Sequence, residues 1–331
     1  MMITFVASKN YDMLVWILFL VLIVVFLALD LGVFNKEDHV IKSKEAGIWT
    51  AVWVTVALSF SGVIYWLFSE GLVDNPTGLT PNSAVLKYIT GYLIELSLSI
   101  DNVFVIAVIF TSFKIPPIYQ HRVLFWGILG AIVFRALMIL FGVALITRFD
   151  WIIYVFGVFL LYTAFKMLKD DNQDFDPKKS FVFRQIKKIY PITSQFNGHA
   201  FFMKRMGLNA ATPLFVALVV IELTDILFAL DSIPAILAIT ADPFIVFTSN
   251  IFAILGLRSM YFLISRMLQK FRFINYSLVV ILAYVGLKML FSHHVKIPEW
   301  LSLTVIAVSL IGGVLASILI KETAISAQED K

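Results

Sequence analysis

Long apolar stretches alternate with short polar connections along the whole chain. Nine of the stretches approach the ~20 residues that a helix needs to cross a bilayer. These are residues 14–33, 47–68, 85–111, 122–146, 151–168, 213–239, 244–267, 274–291 and 299–320. The pattern predicts an all-α polytopic membrane protein in which residues 1–331 form a single membrane domain of about nine transmembrane helices.

The composition agrees with this class. Hydrophobic residues make up 60% of the 331 positions, charged residues only 15%, and the mean hydropathy is +0.91. A water-soluble protein of this length could not bury so much apolar surface, so the lipid bilayer is the expected partner. Cysteine is absent, which excludes disulfides and thiolate metal ligands. No basic patch suggests a nucleic-acid partner.

Most basic residues of the connections fall in alternate ones, and the opposite set is nearly bare. The first set includes Lys36, Lys42, Lys44, Lys114, Arg122, Lys178, Lys179, Arg184, Lys187, Lys188, Lys204, Arg205, Arg266, Lys270, Arg272 and Lys321. The connections Ser69–Ala84 and Thr240–Pro243 carry none. The positive-inside rule therefore predicts an outer N-terminus, an inner C-terminus and a cytoplasmic connection at 169–212. Residues 181–189 within it are either a solvated loop or a basic amphipathic helix on the inner leaflet. The end, 322–331, is predicted to be a disordered tail.

Two of the apolar stretches contain acids in the same arrangement. Glu95, Asp101 and Asn102 in the third stretch have the spacing of Asp225, Asp231 and Ser232 in the sixth. The sixth stretch adds a further acid, Glu222. Carboxylates inside a bilayer are costly, so two such motifs indicate a functional site.

The similarity continues beyond the acids. Arg135 is matched by Arg258, and a Tyr-x-x-x-Lys-Met-Leu segment ending at residue 168 is matched by one ending at residue 290. The offsets of the three landmarks are 130, 123 and 122 residues. Residues 85–168 and 213–291 are therefore predicted to be repeats of three helices. An odd number of crossings inverts the second repeat, as in many secondary transporters.

Helix geometry limits how the acids of the second motif can meet. At 100° per residue, Glu222 and Asp225 share a face, whereas Asp231 lies about 180° from Glu222. The three converge only if the helix breaks; otherwise they serve different partners. Pro234 is a candidate break, because it cannot donate a hydrogen bond to Leu230.

The two motifs offer only oxygen ligands. The candidate metal-handling residues are Glu95, Asp101, Asn102, Glu222, Asp225, Asp231, Ser232 and Asn250. Oxygen sets favour Mn²⁺, Mg²⁺ or Ca²⁺ over Zn²⁺ or Cu⁺, and the residues alone do not choose among the three. Five acids against two arginines leave negative charge that a divalent ion, or protons acting as counter-ion, could balance.

Arg135 and Arg258 are interpreted as ion-pairing or gating residues. In the alternative, purely structural interpretation, they pair with the acids and pin helices together. Asp30, at the inner end of the first stretch, is either an interfacial residue or the mouth of an ion path.

The motifs resemble those of the TerC/Alx family of integral membrane proteins. The resemblance rests on Ile-Glu-Leu-x-Leu-Ser-x-Asp-Asn-Val-Phe, on Glu-Leu-x-Asp-x-x-Phe-Ala-x-Asp-Ser-Ile-Pro-Ala-Ile, and on the segment from Asp242 to Asn250. It implies a bacterial inner-membrane protein that exports manganese, with the five motif acids handling the metal. The family's name comes from tellurite resistance, and some members are linked to supplying manganese to secreted proteins.

Three functional hypotheses compete. The first is a non-enzymatic exporter of divalent cations, most of all Mn²⁺, that works by alternating access without a prosthetic group. The second is a membrane partner protein that assists secretion, insertion or metalation of exported proteins. The third, an aspartyl protease with Asp101 and Asp231 as its dyad, lacks the Gly-x-Gly-Asp motif.

Overall fold

The computed structural model of the protein describes residues 2–32, 43–149, 151–169, 191–193, 195–196, 198–205, 208–265, 273–291 and 298–319. Within these ranges the chain forms nine helices and a two-stranded hairpin. The helices are α1 (Met2–Gly32), α2 (Ser43–Ser69), α3 (Pro81–Ser112), α4 (Pro117–Arg148), α5 (Ile152–Lys169), α6 (Pro213–Leu237), α7 (Pro243–Ile264), α8 (Ile274–Leu290) and α9 (Glu299–Leu319). The strands are β1 (Phe202–Arg205) and β2 (Leu208–Ala211).

The predicted all-α membrane class is confirmed, and each predicted stretch corresponds to one helix. Seven of the described helices are long and apolar enough to cross a membrane. Helix α8 is a shorter apolar helix, and α3 is 32 residues long and carries the first acidic motif.

Local sequence signals explain where several helices begin. Helices α3, α4, α6 and α7 each start with a proline, whose missing N–H has no partner in the first turn of any helix. Thr80 and Asp242 then cap α3 and α7, because their side-chain oxygens accept from the N–H groups of Ser83 (3.3 Å) and Ile245 (3.0 Å).

Helix α7 lies at the centre of the bundle. Of its spanning residues 94% are buried, against 17% for α1 at the periphery. Helices α2, α3 and α4 all pack against it. Aromatic rings fill the space on the α1–α2 side, where Phe60 and Phe252 have ring centroids 4.7 Å apart.

The remaining helices form two further packing layers. Helix α6 packs along α4 and α3, and α5 packs along α8. The α5–α8 contact is close because Gly157 and Gly286 face each other without side chains. Helices α8 and α9 are antiparallel: Ser277 donates to the Ser309 carbonyl (2.7 Å), and Lys288 donates to the Ser302 hydroxyl (2.9 Å).

The long connection is not only a loop, because its strands β1 and β2 pair with each other in an antiparallel arrangement. Its end is fastened to the first turn of α6, where the Thr212 hydroxyl donates to the Phe201 carbonyl (3.0 Å) and the rings of Phe202 and Phe215 are 4.5 Å apart. Sequence reasoning missed this hairpin, since it saw only basic and aromatic residues in a connection. The predicted segment 181–189 and tail 322–331 lie outside the described residues.

The predicted break at Pro234 is wrong. Helix α6 continues through Pro234 and ends three residues later, at Leu237. In the last turn of a helix a proline removes one hydrogen bond, to Leu230, and little helix remains beyond it to be displaced. The backbone N–H of Ala238 donates to the Pro234 carbonyl (3.0 Å), which closes the turn. The acids of the second motif therefore serve different partners.

Candidate functional site

Four helices bring the two acidic motifs together. Helix α3 carries the first motif and lies on α7, whereas α6 carries the second and lies on α4. Small residues allow the close approach. A β-carbon at Gly91 of α3 would lie 3.0 Å from the Ser249 hydroxyl of α7, and one at Gly127 of α4 would lie 3.6 Å from Ile221 of α6.

Arg135 of α4 is the centre of a buried polar cluster. Its Nε and Nη2 donate to the two carboxylate oxygens of Asp225, over 3.2 Å and 2.9 Å. Its Nη1 contacts Glu95 Oε1 and donates to Asn250 Oδ1 (3.3 Å). Asn250 in turn donates through Nδ2 to Glu95 Oε2 (3.1 Å). The cluster thus contains one acid from each motif.

The cluster is almost completely shielded from the surroundings. Arg135 is 1% exposed, and both Glu95 and Asn250 are 0% exposed. Buried charges of this kind are stable only when they are paired and hydrogen-bonded. The guanidinium meets this requirement for both carboxylates. Its Nε and Nη2 bind Asp225 in a bidentate manner, and its Nη1 contacts Glu95.

A small cavity adjoins the cluster. It holds about 20 Å³, room for about one water molecule, and Asn102, Thr224 and Asp225 contribute polar groups to its apolar wall. Asn102 is 3% exposed, and neither its amide nitrogen nor its amide oxygen has a hydrogen-bond partner among the described residues. Buried amides are normally satisfied, so the cavity is suited to a polar guest.

Neither of the other two acids of α6 has a described hydrogen bond to the cluster, although Asp225 lies near enough to Glu222 to act on its charge. The Glu222 carboxylate occupies the space left by Gly130, where an added β-carbon would overlap it, and borders an open groove with Trp126 and Phe134. Asp231 accepts a hydrogen bond from Thr163 of α5 (3.0 Å), and Lys166 lies near enough to act on its charge. Continuous helix α6 thus presents its three acids to separate surroundings.

The structure also places the remaining predicted residues. Ser232 is buried on α6, and its hydroxyl has no partner within the described part of the chain. Arg258 contacts the His121 ring of α4. Asp101 and Asp30 belong to α3 and α1, but their side chains lie outside the described residues.

The candidate set is therefore only partly assembled. Glu95, Asn102, Asp225 and Asn250 gather around Arg135 and its cavity, whereas Glu222 and Asp231 do not. Among the residues whose side chains are described, no three acids or histidines come together as a metal site. The assignment of Arg135 to ion pairing agrees with its contacts.

Sequence reasoning missed three contributors. Thr163 lies in the repeated Tyr162–Leu168 segment, which served only as a landmark of the repeat. His121 gave no signal beyond its place between Lys114 and Arg122, in the connection between the third and fourth stretches. Gly130 lies one helical turn after the buried Gly127 of α4, and small residues on membrane helices are typical of places where helices approach closely.

Comparisons with known proteins agree with this architecture. Residues 80–325 match the integral membrane protein TerC family. An uncharacterized membrane protein of Myxococcus xanthus is 49% identical over 306 residues, 92% of each chain. One of Rickettsia bellii is 41% identical over 92% of this chain and 97% of its own. No solved structure is significantly similar.

A third relative has a descriptive name. The Alx protein of Escherichia coli (strain K12), described as a candidate membrane-bound redox modulator, is 43% identical over 295 residues. These residues are 88% of this chain and 90% of that protein. The resemblance carried by the acidic motifs is thereby confirmed, and the chain belongs to the TerC family of integral membrane proteins.

Proposed function

We propose that this protein is a transporter that exports divalent metal cations, Mn²⁺ above others, across the bacterial inner membrane. The observation that carries the proposal is the meeting of Glu95 and Asp225 inside the helix bundle. These acids come from two different motifs and from helices far apart in the chain. A buried pair of carboxylates with amide neighbours is the donor set that a hard divalent cation requires.

The donor chemistry supports Mn²⁺, Mg²⁺ or Ca²⁺ as cargo. The oxygens of Glu95, Asp225, Asn250 and Asn102 surround one region, and the chain contains no cysteine. Manganese is preferred because the family resemblance implies it. Thiol–disulfide exchange, one route to the redox role that the name of the Alx relatives describes, is not available to a chain without cysteine.

The packing pattern supports alternating access. If α3–α5 and α6–α8 are inverted repeats, a contact of α3 with α7 has its counterpart in a contact of α6 with α4. Both contacts are extensive, and the third helices of the proposed repeats, α5 and α8, pack on each other. The acid cluster then lies between the repeats, where transporters of this design place their substrate.

The test is Mn²⁺ efflux from proteoliposomes that contain the purified full chain. We expect Glu95→Gln and Asp225→Asn each to reduce efflux about tenfold or more, because each removes a charged ligand from a buried site. Glu70→Gln, which changes an exposed acid just after α2, is the matched control and should keep the parent rate. Competition by Mg²⁺, Ca²⁺ and Zn²⁺ measures selectivity.

Unchanged efflux in both site variants, at equal amounts of folded protein, would remove the basis of the proposal. The acids would then be structural ion pairs that hold helices together. A role as partner for secretion, insertion or metalation of exported proteins would take its place, with the 169–212 connection as the segment to mutate next.

A further inference from the structure

The cluster already contains a cation, and it belongs to the protein. Four separate contacts direct the Arg135 guanidinium to Glu95, Asn250 and both oxygens of Asp225. Every described carboxylate oxygen of the cluster is within reach of either Arg135 or the Asn250 amide. The two carboxylates therefore cannot both surround a divalent ion until the guanidinium has moved away.

Arg135 supplies positive charge to the site when no transported cation is bound. Glu95 and Asp225 together carry two negative charges in a region with almost no exposure. Without a counter-ion, two buried carboxylates are strongly unfavourable. An alternating-access transporter must nevertheless turn its empty site back towards the cytosol to complete each cycle of net export.

We propose that Arg135 is an internal counter-ion that alternates with the transported cation. The divalent cation displaces the guanidinium when it binds, and the guanidinium returns to the carboxylates when the cation leaves. This inference rests on the proposed function and adds one step to it: with Arg135 in the site, the empty transporter returns without a bound proton or other exchanged ion.

Displacement of the Arg135 guanidinium can begin in the cavity beside the cluster. It reaches Asp225 from the side of Asn102, whose amide has no partner in the described chain. A cation that enters this space contacts Asp225 and the Asn102 oxygen while Arg135 still holds Glu95. The exchange of one cation for the other can thus proceed stepwise, without leaving both carboxylates bare.

The experiment compares two fluxes in proteoliposomes that contain the full chain and radioactive Mn²⁺. Net efflux is measured into Mn²⁺-free buffer, and exchange is measured into buffer with saturating unlabelled Mn²⁺. Potassium with valinomycin holds the membrane potential at zero, and the pH is equal on both sides. Exchange needs only the loaded site to reorient, whereas net efflux also needs the empty site to return.

We expect Arg135→Gln to lower the ratio of net efflux to exchange by about tenfold or more, because its empty site keeps an uncompensated charge. Arg135→Lys keeps the positive charge and should retain most of the parent ratio. The double variant Glu95→Gln with Arg135→Gln should recover the ratio, since its empty site has the same net charge as in the parent.

The outcomes separate this inference from the proposed function. If the parent protein moves Mn²⁺ in neither assay, the proposed function fails. If the parent exchanges Mn²⁺ but shows net efflux only with a pH gradient, protons are the counter-ion and the inference about Arg135 is overturned. An unchanged ratio in Arg135→Gln, or a ratio that the double variant does not recover, also overturns it while transport stands.

Discussion

The acids of the two motifs, taken one by one, have different surroundings. Glu95 and Asp225 are tied to Arg135, Asp231 accepts from Thr163, and Glu222 lies against Gly130 beside a groove. Their shared spacing in the sequence therefore does not mean a shared role. We expect substitutions at Glu222 and Asp231 to affect transport differently from those at the Arg135 cluster.

Another acid, Asp242, shows how burial changes the behaviour of a single residue. It caps α7 in the connection that follows α6 and is 0% exposed. Burial raises the pKa of its carboxyl to about 6, although the N–H groups of Ile245 and Phe244 and the charge of Lys87 lower it. Asp74 contributes a smaller rise.

We expect Asp242 to make the stability of the protein depend on pH. A raised pKa means that the folded state prefers the protonated acid, so this contribution is complete below about pH 4 and is lost as the pH rises through about 6. Because the pKa rises from 3.8 to about 6 on folding, the free energy of unfolding falls by about 3 kcal/mol over this range of pH. Asp242→Asn keeps an acceptor for the Ile245 N–H and removes the charge.

The measurement is the unfolding midpoint of the parent and of Asp242→Asn in detergent at a series of pH values. The unfolding midpoint of the variant, relative to that of the parent, should rise as the pH increases from about 4 to about 7. A constant difference over that range would contradict the raised pKa. Because all other acids titrate in both proteins, the difference isolates Asp242.

Between α5 and α8, the decisive feature of the packing is the absence of side chains. The β-carbon of an alanine at position 286 would lie 2.9 Å from the Gly157 carbonyl oxygen, closer than packed atoms allow. That oxygen belongs to the backbone of α5, so it cannot turn aside as a flexible side chain would. The glycines therefore determine how near the third helices of the proposed repeats can lie.

We expect Gly286→Ala to destabilise the protein by about 1–3 kcal/mol, as overpacking of a close contact does. The matched control is Gly312→Ala in α9, where an added β-carbon meets nothing within 4 Å. Thermal unfolding in detergent checks the prediction. Equal midpoints in the two variants would contradict the prediction, because they would show that α5 and α8 can separate at no cost.

The chain can be inserted in the membrane in either of two orientations, and the structure contains no membrane that would distinguish them. The basic connections predict that the α2–α3 connection lies outside and the α3–α4 connection inside. Exposed residues mark both places: Glu70 follows α2, and Lys114 lies between α3 and α4. The absence of natural cysteines allows one cysteine to be introduced at a time.

We expect a membrane-impermeant maleimide to label Glu70→Cys in right-side-out membrane vesicles. Lys114→Cys should react only after the vesicles are opened. The two variants serve as controls for each other, since both side chains are exposed. The reverse result would invert the predicted orientation and, with it, the direction in which the proposed site delivers its cation.

Local features of the sequence were sufficient to predict the membrane class and the number and approximate limits of the described helices, and they identified the candidate acids. These features depend on local properties: the length of an apolar stretch, the cost of a carboxylate in lipid, and a proline at a helix start. The hairpin at 202–211 was missed because its strands pair through backbone groups, and its side chains do not alternate in polarity.

Which of these residues come into contact depends on the packing of the helices. Arg135 and Asp225 are 90 residues apart, and Glu95 and Asn250 are 155 apart. Matching spacing within two motifs cannot reveal that an arginine of a third helix lies between them, because that contact depends on how α3, α4, α6 and α7 pack. Because α6 stays continuous through Pro234, Asp231 lies on the side of the helix opposite Glu222 and accepts from Thr163 of α5 instead of joining the cluster.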